Sequence, residues 1–223
     1  MANNTGRLEK SCYEIRTFNF TILLLLTETM YHPPIQFFAQ ALQSDGILIE
    51  KHENYVKQSY RNRCHVLTAQ GMVPLSVPVL RGNSKDKTPI TEIEIDYSQK
   101  WYNVHWRTIQ AAYGRAPYFE FYSDYIKEVY ERQPKYLFGL NVDLLRLYLK
   151  FLKLDRPIGF TDSYQTAQPE GVLDLRNRIH PKIIPDNLYV QTYTQVFGKQ
   201  FVQDLSIIDL LFTQGPKSLS YLQ

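Results

Sequence analysis

Residues 21–27 form a continuous apolar run, and His32-Pro33-Pro34 interrupts regular structure soon after it. A short unbroken run of this kind marks a strand buried on both faces, as in a parallel sheet. Pro34 is suited to open a helix, and Ile35, Phe38, Ala39 and Leu42 follow at helical spacing. Asp45-Gly46 closes that helix, and residues 47–50 read as a second short strand. Strand, polar turn, helix, strand is the opening of an α/β sheet. In such sheets ligands settle beyond the carboxyl ends of the strands, where residues 28–32 and 51–55 lie.

This placement directs attention to residues 52–64, His-Glu-Asn-Tyr-Val-Lys-Gln-Ser-Tyr-Arg-Asn-Arg-Cys. Val56 is the one aliphatic side chain, so core packing does not account for the stretch. It offers one carboxylate, one imidazole, three permanent cations, two phenols and three amides. Donors in this density suit an anionic or polyhydroxylated ligand; a solvated connecting loop is the plainer alternative. If the segment is extended, Tyr55, Lys57, Arg61 and Arg63 point one way. Arg61 and Arg63 are then a candidate clamp for a diphosphate, with Lys57 as a point charge. The same interleaving of rings and cations is compatible with RNA. The small net charge of +3 and the absence of a recognisable RNA module argue for a partner other than nucleic acid.

Further along, residues 66–69, a Gln70-Gly71 turn and residues 72–80 predict a hairpin, with residues 91–96 as a third strand. Pro74 and Pro78 confine the hairpin's second strand to an edge. Ser98 is a candidate N-cap for a helical region reaching residue 154. Trp101, His105, Ile109 and Tyr113 share one face of its first helix, which Gly114 ends. Helices follow over residues 119–132 and 141–154, the latter with Leu144, Leu145, Tyr148, Leu149 and Leu152 inward. Residues 158–162 can return to the sheet, and residues 164–187 read as irregular. A last helix starts at Ser206 and stops at Gly215-Pro216, with Asp209 assigned to its cap. The fold class is α/β: a Rossmann-like, mostly parallel sheet with an added β-hairpin and a helical region over residues 98–154. Residues 1–20 read as a flexible tail and lead-in, and residues 21–223 as a single domain.

Cysteine occurs only at Cys12 and Cys64, which makes neither a disulfide framework nor a zinc site. No apolar run is long enough to span a bilayer, and the reading is a cytoplasmic protein. The 17 tyrosines against 2 tryptophans suit clefts and interfaces.

Several fragments together resemble the WbqC-like family, found in bacterial surface-polysaccharide (O-antigen) gene contexts. They are Tyr31-His32-Pro33-Pro34, the pattern from His52 to Arg63, Leu75-Ser76-Val77-Pro78-Val79, His105 with Ile109 and Tyr113, Pro117-Tyr118-Phe119, and residues 205–212 with Gly215. The Tyr-x-x-Gly signature that members often carry after the helical region is missing from residues 164–187.

The resemblance implies a pathway more than a mechanism. Its leading reading is a cytosolic enzyme of surface-glycan biosynthesis acting on a nucleotide- or lipid-linked sugar, with acyl or aminoacyl transfer as one reaction class. The alternative is a non-catalytic binding or assembly protein of a polysaccharide pathway. The expected partner is a phosphorylated or nucleotide-linked sugar; no cofactor or oligomeric state follows.

His32, His52 and His105 are the catalytic candidates. Glu28, Tyr31, Glu53, Asn54, Tyr55, Lys57, Tyr60, Arg61, Asn62 and Arg63 are the ligand-binding candidates. An enzyme should bring His32, His52, Arg61 and His105 to one pocket. Cys64 could pair with a histidine as a nucleophile, but a buried, inert thiol at a strand start is the reading adopted. Metal binding is set aside, because no pair of histidines has the helical spacing of a zinc motif.

Overall fold

The computed structural model describes residues 23–80, 87–183 and 190–223. In chain order its elements are β1 (Leu24–Thr27), α1 (Ile35–Leu42), β2 (Gly46–Ile49), β3 (Arg63–Thr68), β4 (Gly71–Ser76), α2 (Trp101–Tyr113), α3 (Phe119–Glu131), α4 (Leu137–Leu152), β5 (Ile158–Phe160), β6 (Val172–Asp174) and α5 (Ile207–Gln214). The opening apolar run places β1 inside a parallel sheet of order β5-β2-β1-β6. The chain leaves β1 for β2 on one side and returns on the other as β6, so the strand order reverses beside β1. Strands β3 and β4 form a separate antiparallel hairpin. The fold is therefore α/β, a mostly parallel sheet with an added hairpin and a helical region.

Helix α1 buries Ile35, Phe37, Phe38, Ala39 and Ala41. Its first turn is closed off by the lead-in to α5. Ile35 N–H donates to the Leu205 carbonyl at 3.0 Å, and Ile207 N–H donates to the Pro33 carbonyl at 3.0 Å. Pro34 at the N-cap has no N–H to offer. A helix N-terminus ordinarily attracts phosphate through its unpaired amides; here the chain's own carbonyl occupies the first of them.

The four-residue spacing in α2 buries Trp101, His105, Ile109 and Tyr113 as expected. Ser206 caps α5 by accepting from Ile208 N–H at 3.4 Å. Other expectations need correction. Residues 91–96 are not a strand: a 3₁₀ turn at Ile90–Glu92 precedes isolated bridges from Glu94 and Ile95. Ser98 caps nothing, because α2 starts at Trp101 and Ser98 N–H donates to Asp96 in a local turn. Helix α4 begins four residues before 141, where Leu137 and Leu140 extend its buried stripe. Residues 164–187 are not uniformly irregular, since they hold β6, a strand too short to show a period but paired along β1. The hairpin's second strand ends at Ser76, and Val77 N–H turns to the Asn62 carbonyl at 2.8 Å. Residues 1–20, Cys12 and residues 184–187 lie outside the described residues. Among the described residues no helix is long and apolar enough to cross a membrane.

Gly215 ends α5 at φ 55°, and a Cβ there would overlap the Tyr118 ring. Gly215→Ala is expected to cost roughly 2 kcal/mol or more, from the left-handed backbone and the overlap together. Urea denaturation checks this; an unchanged midpoint would show that the ring gives way freely.

Candidate functional site

At the carboxyl edge of the sheet each strand runs into a polar residue: Glu28 after β1, Glu50 after β2, Thr161 after β5, and Arg176 shortly after β6. Arg61, from the loop between β2 and β3, enters this edge fully buried. Its Nε donates to Glu53 Oε1 at 2.8 Å and its Nη2 to Glu53 Oε2, a two-pronged pairing. Nη1 lies 3.5 Å from Glu28 Oε1, and Nη2 also donates to Asn177 Oδ1 at 3.0 Å. Asn177 N–H returns to Glu28 Oε2 at 3.0 Å.

Beside this group, Arg176 Nη1 meets Glu50 Oε2 at 2.9 Å, and its Nη2 meets Asp174 Oδ2 at 2.7 Å. Thr161 hydroxyl donates to Glu50 Oε1 at 2.7 Å. Tyr164 covers the Arg176 guanidinium at 4.6 Å. Burial pushes Glu28 and Glu53 above the ordinary carboxylate range, and Arg61 opposes the rise in both. Arg61 reaches Glu28 only at 3.5 Å, so the Asn177 N–H bond also supports its charge, whereas Glu53 is held by the guanidinium fork. The crevice where α/β sheets take ligands is thus occupied by the protein's own ion pairs.

A second cluster lies inside the helical region. Tyr31 hydroxyl is 2.8 Å from His105 Nδ1 and 2.6 Å from Tyr130 hydroxyl; His32 Nε2 meets Tyr130, and His32 Nδ1 meets Tyr148. The direction of this chain follows from its end. The Ser76 backbone carbonyl, which can only accept, favours a proton on the His105 nitrogen that does not face Tyr31, its Nε2. Tyr31 then donates to His105 Nδ1, Tyr130 to Tyr31, His32 Nε2–H to Tyr130, and Tyr148 to His32 Nδ1. Every donor finds an acceptor only while both imidazoles are neutral. Burial favours that state, lowering His32 to about 3 and His105 to about 4. Cys64 beside them is fully buried, and burial pushes its thiol up, as an inert cysteine requires.

The third feature is open. A groove of about 490 Å³ runs between Tyr55, Lys57, Gln58, Asn62 and Arg63 on one side and Ser76 with residues 77–79 on the other. Among the described residues two cations line it, and no carboxylate does. Arg63 Nε donates to Ser76 Oγ at 3.2 Å, which holds the guanidinium against β4. Lys182 Nζ approaches Gln58 Oε1 at 3.4 Å and adds a third cation beside it.

The expected sites are therefore divided. Glu28, Glu53 and Arg61 meet in the buried edge, while Tyr31, His32 and His105 meet in the aromatic chain. Tyr55, Lys57, Asn62 and Arg63 line the groove. His52 and Asn54 are exposed: the first donates only its backbone N–H to Glu50, and the second bridges backbone to Pro89. Tyr60 is buried and donates to Asp204.

Three expectations are corrected. Arg61 and Arg63 do not share a face, because residues 55–62 coil rather than extend, and two carboxylates draw Arg61 inward. His32, His52, Arg61 and His105 do not converge on one pocket among the described residues, since they occupy three environments. Asp209 does not cap α5 with its side chain; buried, it accepts from Tyr113 at 2.9 Å, Tyr193 at 2.6 Å and Gln195 at 3.2 Å. Sequence reasoning missed Glu50, at the end of the second strand, and also Asp174, Arg176 and Asn177, whose one visible signal was an acid-and-arginine run in a stretch read as irregular. It also missed Tyr130 and Tyr148 as partners of the histidines, for both sit at ordinary core spacing.

The fold and its polar features define an α/β protein with a sealed sheet edge and a cationic groove beside its hairpin. The chain belongs to the WbqC-like protein family, whose model matches residues 29–184. It is similar to the uncharacterized protein Rv1507c of Mycobacterium tuberculosis, at 26% identity over 227 residues, covering 89% of this chain and 96% of that protein. No solved structure matches.

Arg61→Gln should be severe, because it leaves Glu53 and Glu28 buried without their cation; a loss of about 3–5 kcal/mol is expected. Chemical denaturation reads this directly, and a loss below about 1 kcal/mol would mean the edge takes in water instead. Asp204, raised by burial to about 6 from an ordinary 3.8, sets a pH dependence. An acid whose folded value is raised is most favourable when protonated. Its contribution falls as pH rises through the window from about 4 to 6, by at most about 1.4 kcal/mol per unit, and is flat above it. Against Asp204→Asn, the wild type should therefore lose stability from pH 4 to pH 6; a constant difference across that window would refute the assignment.

Proposed function

We propose that the groove binds the phosphate groups of an activated sugar, nucleotide- or lipid-linked, in the biosynthesis of a bacterial surface glycan. The observation that carries this is the lining: Lys57 and Arg63 face a cavity of about 490 Å³, and among the described residues no carboxylate lines it. A guanidinium fork and a flexible ammonium side by side suit a diphosphate. The apolar wall of residues 77–79 and the ring of Tyr55 give a sugar or base something to rest on. Membership of the WbqC-like family supports the pathway.

Acyl or aminoacyl transfer to that sugar would need a base or nucleophile in reach of the groove. Both nitrogens of His32 are engaged by tyrosines, and Cys64 is sealed with a raised thiol. These observations favour the second reading, a non-catalytic binding or assembly protein of the same pathway, over catalysis by His32 or Cys64.

The test is calorimetric titration with pyrophosphate and with UDP-glucose, for wild type, Lys57→Gln and Arg63→Gln. Each substitution should weaken both ligands by roughly 1.5–3 kcal/mol, with melting temperature nearly unchanged. Affinity should fall with added salt. Wild-type protein that ignores pyrophosphate, or variants that bind it unchanged, would defeat the reading.

A further inference from the structure

Helix α3 turns Phe119, Ser123, Ile126, Val129 and Tyr130 into the core. Phe121 and Tyr125, one helical turn apart, lie beside that buried face and leave 69% and 49% of their surface exposed. They are not isolated rings. Tyr125 meets Phe151 of α4 at 5.6 Å between centroids, Tyr122 meets the same ring at 4.7 Å, and Phe121 meets Tyr118 at 6.0 Å. Scattered apolar side chains are ordinary on a surface, but a joined aromatic row is the kind of patch that marks an interface. None of these residues lines the groove beside the hairpin.

The two flanks of the row carry opposite charge. Helical spacing sets Glu120 and Asp124 on the α3 side of the row, away from α4. On the other side α4 presents Lys150, whose Nζ lies over the Tyr125 ring at 5.9 Å, and then Lys153 at its C-cap. All four charges are exposed. Among the described residues none of the four has an ion-pair partner, whereas Lys127, Arg132 and Arg146 are each paired within their own helices. Because Tyr122 and Tyr125 both touch Phe151, Asp124 and Lys150 stand at one level of the two helices.

An acidic flank, an apolar middle and a basic flank are complementary to themselves. A two-fold axis running along the row exchanges the flanks, so the acids of one copy face the lysines of the other. An axis across the row would set acid against acid. A partner of a single sign, such as an anionic membrane, would meet repulsion on one flank.

We propose that this row is where a second copy of the chain docks, about a two-fold axis along it, with Asp124 of each copy facing Lys150 of the other and the rings packed between them. Ring burial supplies the affinity. The ion pairs, at the wet rim, fix the orientation more than they strengthen the dimer.

Sedimentation velocity of the full chain over a concentration series reads the association. The wild type should dimerise, and Phe121→Ser should weaken the dimer by about tenfold or more. Its far-UV circular dichroism should be unchanged, since the ring is exposed. Asp124→Lys and Lys150→Asp should each weaken the dimer, and mixing the two variants should restore it, because in the mixed dimer every lysine faces an acid. This exchange carries the test even if Phe121→Ser does not fold. A wild type that stays monomeric at every concentration, a dimer that Phe121→Ser leaves intact, or charge variants that mixing does not rescue would each overturn the proposal. Binding of a monomeric wild type to phosphatidylglycerol vesicles, lost in Phe121→Ser, would assign the row to a membrane and overturn it as well.

Discussion

A guanidinium with no exposed surface needs fixed partners, and the carboxyl edge of this protein is built around that requirement. Arg61 is held by Glu53, Glu28 and Asn177, which come from the same loop, from the end of β1 and from just beyond β6. One side chain thus ties together three segments that the sheet alone would leave as loose strand ends. Charge removed from water is costly unless its pairing is good, and a two-pronged contact to one carboxylate with a second nearby meets that condition. The same requirement explains why residues 55–62 coil: an extended segment could not turn Arg61 inward while presenting Arg63 and Lys57 to the groove.

The division between sealed and open cations follows from their surroundings, since both arginines belong to one short, donor-rich stretch. Arg63 opens a strand whose partner offers a hydroxyl, not a carboxylate, so its charge remains available at the surface. Arg61 lies two residues earlier, where Glu53 and Glu28 outbid any ligand. The imidazoles show the same effect. His32 and His105 look like catalytic groups in sequence, yet a one-way row of tyrosine hydroxyls uses their nitrogens to satisfy a buried polar core.

Much of the fold was legible because periodicity reports burial. The apolar run of β1, the spacing of α1 and the Trp101–Tyr113 face were all visible, and each is a local pattern with a local cause. Element ends were less legible where the cause is distant. Strand β6 exists because β1 has an open side, which no three-residue pattern announces. Of the candidate site, the 52–64 stretch supplies Tyr55, Lys57, Asn62 and Arg63 to the groove. Pairing could not be read there, because Glu28 and Asn177 approach Arg61 from far along the chain.

The covered start of α1 has a consequence for how the chain comes together. The backbone partners that close its first turn, Leu205 and Ile207, lie some 170 residues downstream. During synthesis, which proceeds from the N-terminus, the first strand–helix unit leaves the ribosome long before those partners exist. The first turn of α1 therefore cannot close until residues 205–207 have emerged, and this strand–helix unit waits on them to be locked.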